Sequence, residues 1–308
     1  MFLSMADALV IFARDSTKIL YGTAVGSWDL RDFADDSGSI EWTLQDIGQG
    51  IYLDDRGLTD IATTQKYGDF TSKTLSRFVD PWLQTMLGST VASLRVKEKN
   101  QYRLIFDDNQ AMTVTLHGNK VLGICRQLYD IQITCANSTS NASGAEELYA
   151  GADDGFVYQM DRGTSFNGNP IEAVIAFHYN NLKSPQTKKR IRRVIIEINA
   201  PSFYTYITAS VNFNYGESGN AGEVFNPDNP GALWGIGFWG DFAWGGSDVS
   251  SLFVDVDGTG TDFSLTTHYS GEFEMQENED NPRSGVTGAD PHTIQGYTVH
   301  YSNRGVQR

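Results

Sequence analysis

Residues 148–158 read Leu-Tyr-Ala-Gly-Ala-Asp-Asp-Gly-Phe-Val-Tyr, which is an apolar run, a pair of aspartates and a second apolar run. Asp, Asn and Gly tolerate the positive φ of two-residue turns, so this pattern is typical of a tight β-hairpin. Three earlier segments have a similar pattern and predict the same structure, namely Leu9–Tyr21, Ile51–Ile61 and Tyr102–Val114. The first half of the chain therefore contains four predicted hairpins.

The hairpins recur at a regular spacing. Their turn aspartates, Asp15, Asp55, Asp108 and Asp154, lie 40, 53 and 46 residues apart, close to the period of about 40–50 residues of propeller blades. One hairpin per blade predicts about four β-propeller-like blades within residues 1–165. The blades either close a small propeller or form part of a larger ring completed by another chain. Chance spacing of hairpins in a β-rich chain is a further explanation.

The repeat ends after Gly163, and residues 164–170 have the composition of a linker or long turn. Later segments rich in β-branched and apolar residues predict strands at 171–179, 191–198, 203–215, 251–256 and 262–269. We expect a β-sandwich or jelly-roll-like domain over residues 166–308. The predicted fold class of the whole chain is all-β. The helical candidate is 72–87, which Pro81 is expected to split.

Composition restricts the partners of the protein. The 308 residues carry a formal charge of −15, so the free chain is expected to repel nucleic acids and anionic lipid. The apolar residues 1–13 have no basic segment before them and predict a buried strand and no signal peptide. No apolar run is long enough to predict a membrane span. Cys125 and Cys135 are expected to be buried free thiols.

Two segments resemble ligand-binding motifs, but the residues that follow them do not fit those motifs. Gly235–Gly240 matches the letters of the dinucleotide fingerprint, yet no helix-forming segment follows it, so we expect an aromatic-glycine loop. Asp255–Asp262 is acidic, but the twelfth position of a calcium loop would be Thr266, so we expect a hairpin turn. The histidines lack metal-ligand spacings. We expect no catalytic residues, no cofactor, no metal and no enzymatic activity.

Cations are concentrated in one short segment of this acidic chain. Six of the 23 Lys and Arg residues are Lys183, Lys188, Lys189, Arg190, Arg192 and Arg193. A strand period of two places Lys188, Arg190 and Arg192 on the face of Val194, and Lys189, Ile191 and Arg193 on the other face. Three interpretations are open: a solvated strand end, ion pairs with an acidic neighbouring subunit, or a nucleic-acid contact.

Three tryptophans, Trp234, Trp239 and Trp244, recur every five residues in a Gly-rich segment. Large aromatic side chains on loops anchor protein interfaces, stack on sugars, or fold back over their own domain as a lid. We take a candidate assembly interface to consist of these tryptophans and the basic residues Lys188, Lys189, Arg190, Arg192 and Arg193.

Residues 148–164, followed by 171–179 and 188–197, resemble the bacteriophage tail nozzle and tail-hub β-propeller proteins. In that family a final blade with an aspartate-glycine, tyrosine, aspartate-x-glycine run precedes an arginine-rich strand of an appended β-domain. Residues 291–308 are similar to the C-termini of the family, and Asn100–Tyr102 is similar to a segment that recurs before its hairpins.

The resemblance implies a structural protein of the virion tail, made in the host cytoplasm. It implies a ring-shaped homo-oligomer, with six copies favoured, around the channel used for DNA ejection. Other tail proteins are the implied partners, and double-stranded DNA passes without sequence-specific binding because an acidic lumen repels phosphates. The alternatives are a carbohydrate-active or carbohydrate-binding propeller plus β-sandwich protein, and a bacterial surface or secretion scaffold.

Overall fold

A computed structural model describes residues 1–5, 8–61, 74–118, 120–163, 165–199, 207–219, 222–225, 250–270 and 292–306. The described chain is all-β and consists of several small antiparallel sheets. The contacts divide it into two compact units, Met1–Arg162 and Gly163–Arg308. Each unit has its own hydrophobic core.

The first unit contains four sheets in chain order, and each strand pairs with the next strand of its sheet. The first sheet comprises β1 (Phe2–Met5), β2 (Ala8–Phe12), β3 (Thr17–Tyr21) and β4 (Asp29–Ala34). The second comprises β5 (Gln45–Asp46), β6 (Gly50–Asp54) and β7 (Gly57–Asp60). The third comprises β8 (Thr90–Val96), β9 (Gln101–Phe106), β10 (Gln110–His117) and β11 (Lys120–Leu128). The fourth comprises β12 (Ile133–Ser140), β13 (Glu146–Ala152) and β14 (Val157–Met160).

All four predicted hairpins are confirmed, as β2–β3, β6–β7, β9–β10 and β13–β14. Positive φ occurs at Gly57, Asn109 and Gly155 in three of these turns, as expected for Asn and Gly, and at none of the turn aspartates. Two of these aspartates, Asp108 and Asp154, accept backbone hydrogen bonds through their carboxylates. Asp154 Oδ1, for example, accepts one from the N–H of Phe156 at 2.9 Å, which is an Asx turn.

Apolar clusters join successive sheets of the first unit. Tyr52 of β6 packs with Val10 of the first sheet, Leu53 of β6 packs with Leu104 of the third, and the next cluster joins the third sheet to the fourth. Neighbouring blades of a propeller require this packing. Among the clusters of the described residues, none joins the fourth sheet to the first. The radial arrangement stays a prediction.

Two predictions for the first unit need correction. The apolar residues 1–13 form two paired strands, β1 and β2, in place of one. Pro81 does not split the helix predicted at 72–87, since it lies in the first turn of α1 (Asp80–Met86), where no backbone N–H is needed. A 3₁₀ turn, Leu87–Ser89, follows the helix.

The described residues of the second unit form two sheets. One comprises β15 (Glu172–Ala176), β21 (Phe263–Ser270), β17 (Ile207–Phe213), β18 (Ser218–Gly219) and β19 (Glu223–Phe225). The other comprises β20 (Ser250–Gly260), β16 (Thr187–Asn199) and β22 (Thr293–Val306), with β16 in the centre. Both sheets contribute to one apolar core, which is the packing that a β-sandwich requires. The predicted strands are confirmed where they fall within the described residues, residues 203–206 lie outside them, and β18, β19 and β22 are additional strands.

Candidate assembly surfaces

The basic segment is the first half of β16, and a β-bulge interrupts it. The register with β20 and with β22 shifts between Ile191 and Arg193, so Arg192 is the unpaired residue. One extra residue shifts the alternation of side chains, and Lys189 and Ile191 are therefore buried on the same side as Val194. The predicted division of this strand into faces is wrong for that reason.

Lys189 is buried inside its own unit, with 2% of its surface exposed. Its Nζ donates hydrogen bonds to the backbone oxygens of Ser184 at 2.5 Å, Thr187 at 2.9 Å and Thr261 at 2.9 Å. Three acceptors match the three N–H groups of an ammonium. Burial lowers the pKa of Lys189, and the charge of Asp262 opposes this shift. Lys189 therefore links two turns to β16, and its ammonium is not available to a partner.

Two other cations of the segment form ion pairs with the neighbouring strand β20. Arg193 Nε donates to Asp255 Oδ1 at 2.6 Å, and Arg190 donates to Asp257 Oδ1 at 2.8 Å. The guanidinium of Arg193 also lies 5.6 Å from the ring centre of Phe253. These pairs are exposed, so each contributes little to stability. They reduce the positive charge that Arg190 and Arg193 offer to another molecule.

The turn predicted at Asp255–Asp262 is shorter than expected. β20 continues to Gly260, and only Thr261 and Asp262 separate it from β21. The first part of the acidic segment is therefore strand, and its carboxylates pair with the arginines of β16.

Lys188 and Arg192 are the exposed cations that remain in β16. Within the part of the chain that is described, neither forms an ion pair. Lys183 is exposed in the turn that precedes the strand. The other half of the predicted interface, Trp234, Trp239 and Trp244, lies outside the described residues, as does the glycine motif Gly235–Gly240.

A half-buried ion pair joins the third and fourth sheets of the first unit. Arg103 of β9 donates two parallel hydrogen bonds to Asp161, at 2.7 Å and 2.6 Å, and Lys99 Nζ donates a third at 2.6 Å. Burial alone would raise the pKa of Asp161, but the hydrogen bonds from Arg103 and Lys99 lower it to about 2. This carboxylate is charged at neutral pH and fixes the chain after β14 to the third sheet.

A second carboxylate joins the same two sheets. Glu146, at the start of β13, accepts hydrogen bonds from the backbone N–H groups of Lys97 and Glu98, each at 3.0 Å, in the turn between β8 and β9. Ser138 Oγ donates to it at 2.8 Å. Partial burial raises the pKa of Glu146, and the backbone donors outweigh this effect and lower it. The third and fourth sheets are therefore tied at two points.

An apolar groove lies between the start of α1 and the edge strand β11. Its volume is about 310 Å³, and it is lined by Phe78, Val79, Pro81, Trp82, Ile124 and Arg126. Phe78 is 89% exposed. The guanidinium of Arg126 lies 5.5 Å from the ring centre of Trp82, a cation–π contact. Sequence reasoning missed this groove, and its only signal was the aromatic residues around Pro81.

The edge strand β15 of the second unit is exposed along its whole length. Val174 and Ile175, although apolar, are 63% and 43% exposed. Unpaired edge strands with exposed apolar side chains bind other chains unless they are covered. β15 is therefore a second candidate surface for assembly.

Cys125 and Cys135 are both exposed, so the prediction of buried thiols is wrong. They lie on β11 and β12, which are edge strands of two sheets.

Over the described ranges, no group of three or more His, Cys, Asp or Glu side chains could hold a metal ion. No helix in those ranges combines the length and the apolar composition that crossing a membrane demands.

The chain was compared with known proteins. No family model and no curated protein matches it. A solved structure described as a glycoside hydrolase is similar at 10% sequence identity, over 97% of this chain and 83% of that chain, with a TM-score of 0.23. A likeness at this level supports no inference about fold or activity.

Proposed function

We propose that the chain is a structural protein of a bacteriophage tail, of the nozzle or hub type. Further copies join it in a ring around the channel through which DNA leaves the virion. The observation that carries the proposal is the order of two features. The Asp-Asp-Gly hairpin β13–β14 is the last hairpin of the first unit, and the arginine-rich β16 is the central strand of the second. The same order is implied by the resemblance to tail proteins.

The charge of the chain supports this role. Six copies, each with a formal charge of −15, would carry −90 in total. A lumen with this sign repels DNA phosphates, so a duplex passes without binding. Subunits of like charge repel one another, and the ring therefore has to be held by apolar contacts and paired strand edges.

The exposed surfaces supply such contacts. The apolar edge of β15, the groove at α1 and the exposed cations Lys188 and Arg192 are candidate contacts for other chains. Single exposed apolar residues are common on monomers, but contiguous exposed apolar surface marks interaction sites. These features support an assembly role more than a catalytic one.

The test is to determine the assembly state. Native mass spectrometry and electron microscopy of the purified chain, alone and with tail particles, are expected to show a closed ring. Its bore should exceed the roughly 20 Å width of a duplex. Binding to duplex DNA, measured by fluorescence anisotropy at physiological salt, is expected to be weak.

Two results would contradict the proposal. One is a stable monomer that never enters a larger particle, and the other is tight duplex binding at physiological salt. A monomer that binds or cleaves oligosaccharides would favour the carbohydrate-active alternative.

A further inference from the structure

The turn between β13 and β14 forms a rigid acidic tip, which we define as residues Asp153–Val157. Phe156 and Val157 are 68% and 72% exposed although both are apolar. Asp154 Oδ1 accepts the N–H of Phe156 at 2.9 Å, its Oδ2 accepts the hydroxyl of Tyr158 at 2.6 Å, and Gly155 adopts a φ of +84°. The tip is held by its own hydrogen bonds, so docking it costs little conformational entropy.

The tip and the groove at α1 have complementary chemistry. The groove is apolar and aromatic, and it carries one cation, Arg126, which forms no ion pair among the described residues. The tip offers an aromatic side chain next to the exposed carboxylates of Asp153 and Asp154. The bond from Tyr158 lowers the pKa of Asp154, so this carboxylate is charged at neutral pH.

We propose that the acidic tip of one copy docks in the groove of a second copy. Phe156 enters the cavity between Pro81 and Ile124, and the carboxylates of the tip face Arg126. This inference rests on the proposed function and deepens it, because it names the two surfaces that join neighbouring copies. The chain carries both partners of the contact, which favours a second copy over an unrelated protein.

The contact is head to tail, because the tip and the groove are different surfaces of the first unit. The tip does not occupy the groove of its own molecule, since Phe156 is largely exposed. An open row of copies therefore keeps one free tip at one end and one free groove at the other. Head-to-tail contacts of this kind give a ring where the rotation between copies closes, and a filament where it does not.

The experiment uses two variants of the full chain. Phe156→Ser removes the anchor of the tip and leaves the groove intact. Arg126→Glu reverses the charge of the groove and leaves the tip intact. In sedimentation velocity, each variant alone is expected to show a dissociation constant of self-association raised by on the order of 10–100-fold. An equimolar mixture is expected to form a one-to-one dimer and nothing larger, because only one intact tip–groove pair remains.

Controls separate the contact from misfolding. Both changed side chains are exposed, and the circular dichroism spectrum and melting temperature are expected to match the wild type. Val25→Ser, at another apolar residue that is 79% exposed, is the matched control and is expected to assemble normally. Asp153→Arg is expected to weaken assembly of the wild type and to restore assembly of Arg126→Glu in part.

Three outcomes would overturn the inference. Rings that form normally from both variants would show that other surfaces join the copies, and the proposed function would stand. A wild-type chain that remains monomeric at all concentrations would remove this inference, and one that also enters no tail particle would remove the proposed function as well. If Arg126→Glu keeps self-association and instead loses binding to another tail protein, that protein is the occupant of the groove.

Discussion

The ring of Phe213 occupies the space in which a side chain at residue 258 would lie. An ideal Cβ on Gly258 would be 1.9 Å from Cε2 of Phe213. Phe213 ends β17 in one sheet of the second unit, and Gly258 lies on β20 in the other. Packing between the two sheets therefore requires glycine at this position.

Gly258→Ala is expected to destabilise the second unit by about 1–3 kcal/mol, because the added methyl group displaces the buried ring of Phe213. The cost should be smaller in a Phe213→Leu background, and chemical denaturation of the four chains of the cycle measures the coupling. Gly296→Ala, where a Cβ meets nothing within 4 Å, is the control and should be nearly neutral. If the free-energy changes of Gly258→Ala and Phe213→Leu are additive, the contact between these two residues is not the cause of the destabilisation.

Asp161→Asn is expected to destabilise the first unit by about 2 kcal/mol, since it leaves the buried guanidinium of Arg103 without a counter-charge. Asn tolerates the positive φ of this position, so the backbone is kept. Asp32→Asn, which breaks an exposed pair with Lys18, is the control and should change stability very little. Thermal unfolding at pH 7 compares the two, and equal effects would contradict the role of burial.

Acid should weaken the same contact. The pKa of Asp161 in the folded protein is about 2, below the ordinary aspartate value of 3.8. The stabilisation is therefore fully present above pH 4 and is lost as the pH falls towards 2, by about 2 kcal/mol in total. Urea unfolding of the wild type between pH 5 and pH 2 measures the slope. Asp161→Asn should flatten this slope, and an unchanged slope in the variant would assign the acid sensitivity to other carboxylates.

Lys189→Met is expected to destabilise the second unit by about 3 kcal/mol, because it leaves backbone oxygens of three residues without their buried donor. Lys188→Met, one position earlier and exposed, is the matched control and should change stability by under about 0.5 kcal/mol. Hydrogen exchange of peptides from β16 locates the effect. Equal protection of β16 against hydrogen exchange in the two variants would mean that the hydrogen bonds of Lys189 do not stabilise the second unit.

Assembly is expected to weaken as salt rises, if the exposed cations Lys188 and Arg192 of β16 meet an acidic neighbour. Lys188→Ser combined with Arg192→Ser should lower the affinity at low salt and reduce its dependence on salt. Arg190→Ser should have less effect, since Arg190 already pairs with Asp257. Light scattering measures the assembly at salt concentrations from about 50 to about 500 mM, a range over which the screening of surface charges increases strongly. Assembly that is independent of salt in all of these chains would remove the electrostatic role.

Much of the fold could be predicted because it depends on local pattern. The hairpins at Asp55 and Asp154 each combine apolar runs with turn residues, and both appear where the pattern places them. The face of a strand on which each side chain lies is harder to predict, because a single unpaired residue shifts the alternation of side chains between the two faces. Arg192 is such a residue, and nothing in its local sequence marks the bulge.

The candidate site depends on contacts between distant residues, and these are not visible in a sequence pattern. Asp161 contacts Arg103, which lies 58 positions earlier in the chain, and Arg126 contacts the ring of Trp82, which lies 44 positions earlier. The basic segment could be found from composition alone. Its composition did not indicate that Lys189 is buried or that Arg193 is paired within the unit.

The central position of β16 has a mechanical consequence. β22 pairs with β16 from Thr187 to Asn199, and β20 pairs with it on the opposite side. A load applied along β22 is shared by all of the hydrogen bonds at once, because antiparallel bonds lie perpendicular to the strands. A load applied across the strands breaks the same bonds one after another. The sheet of β20, β16 and β22 therefore resists a pull along its strands and yields more easily to a force that peels β22 away from β16.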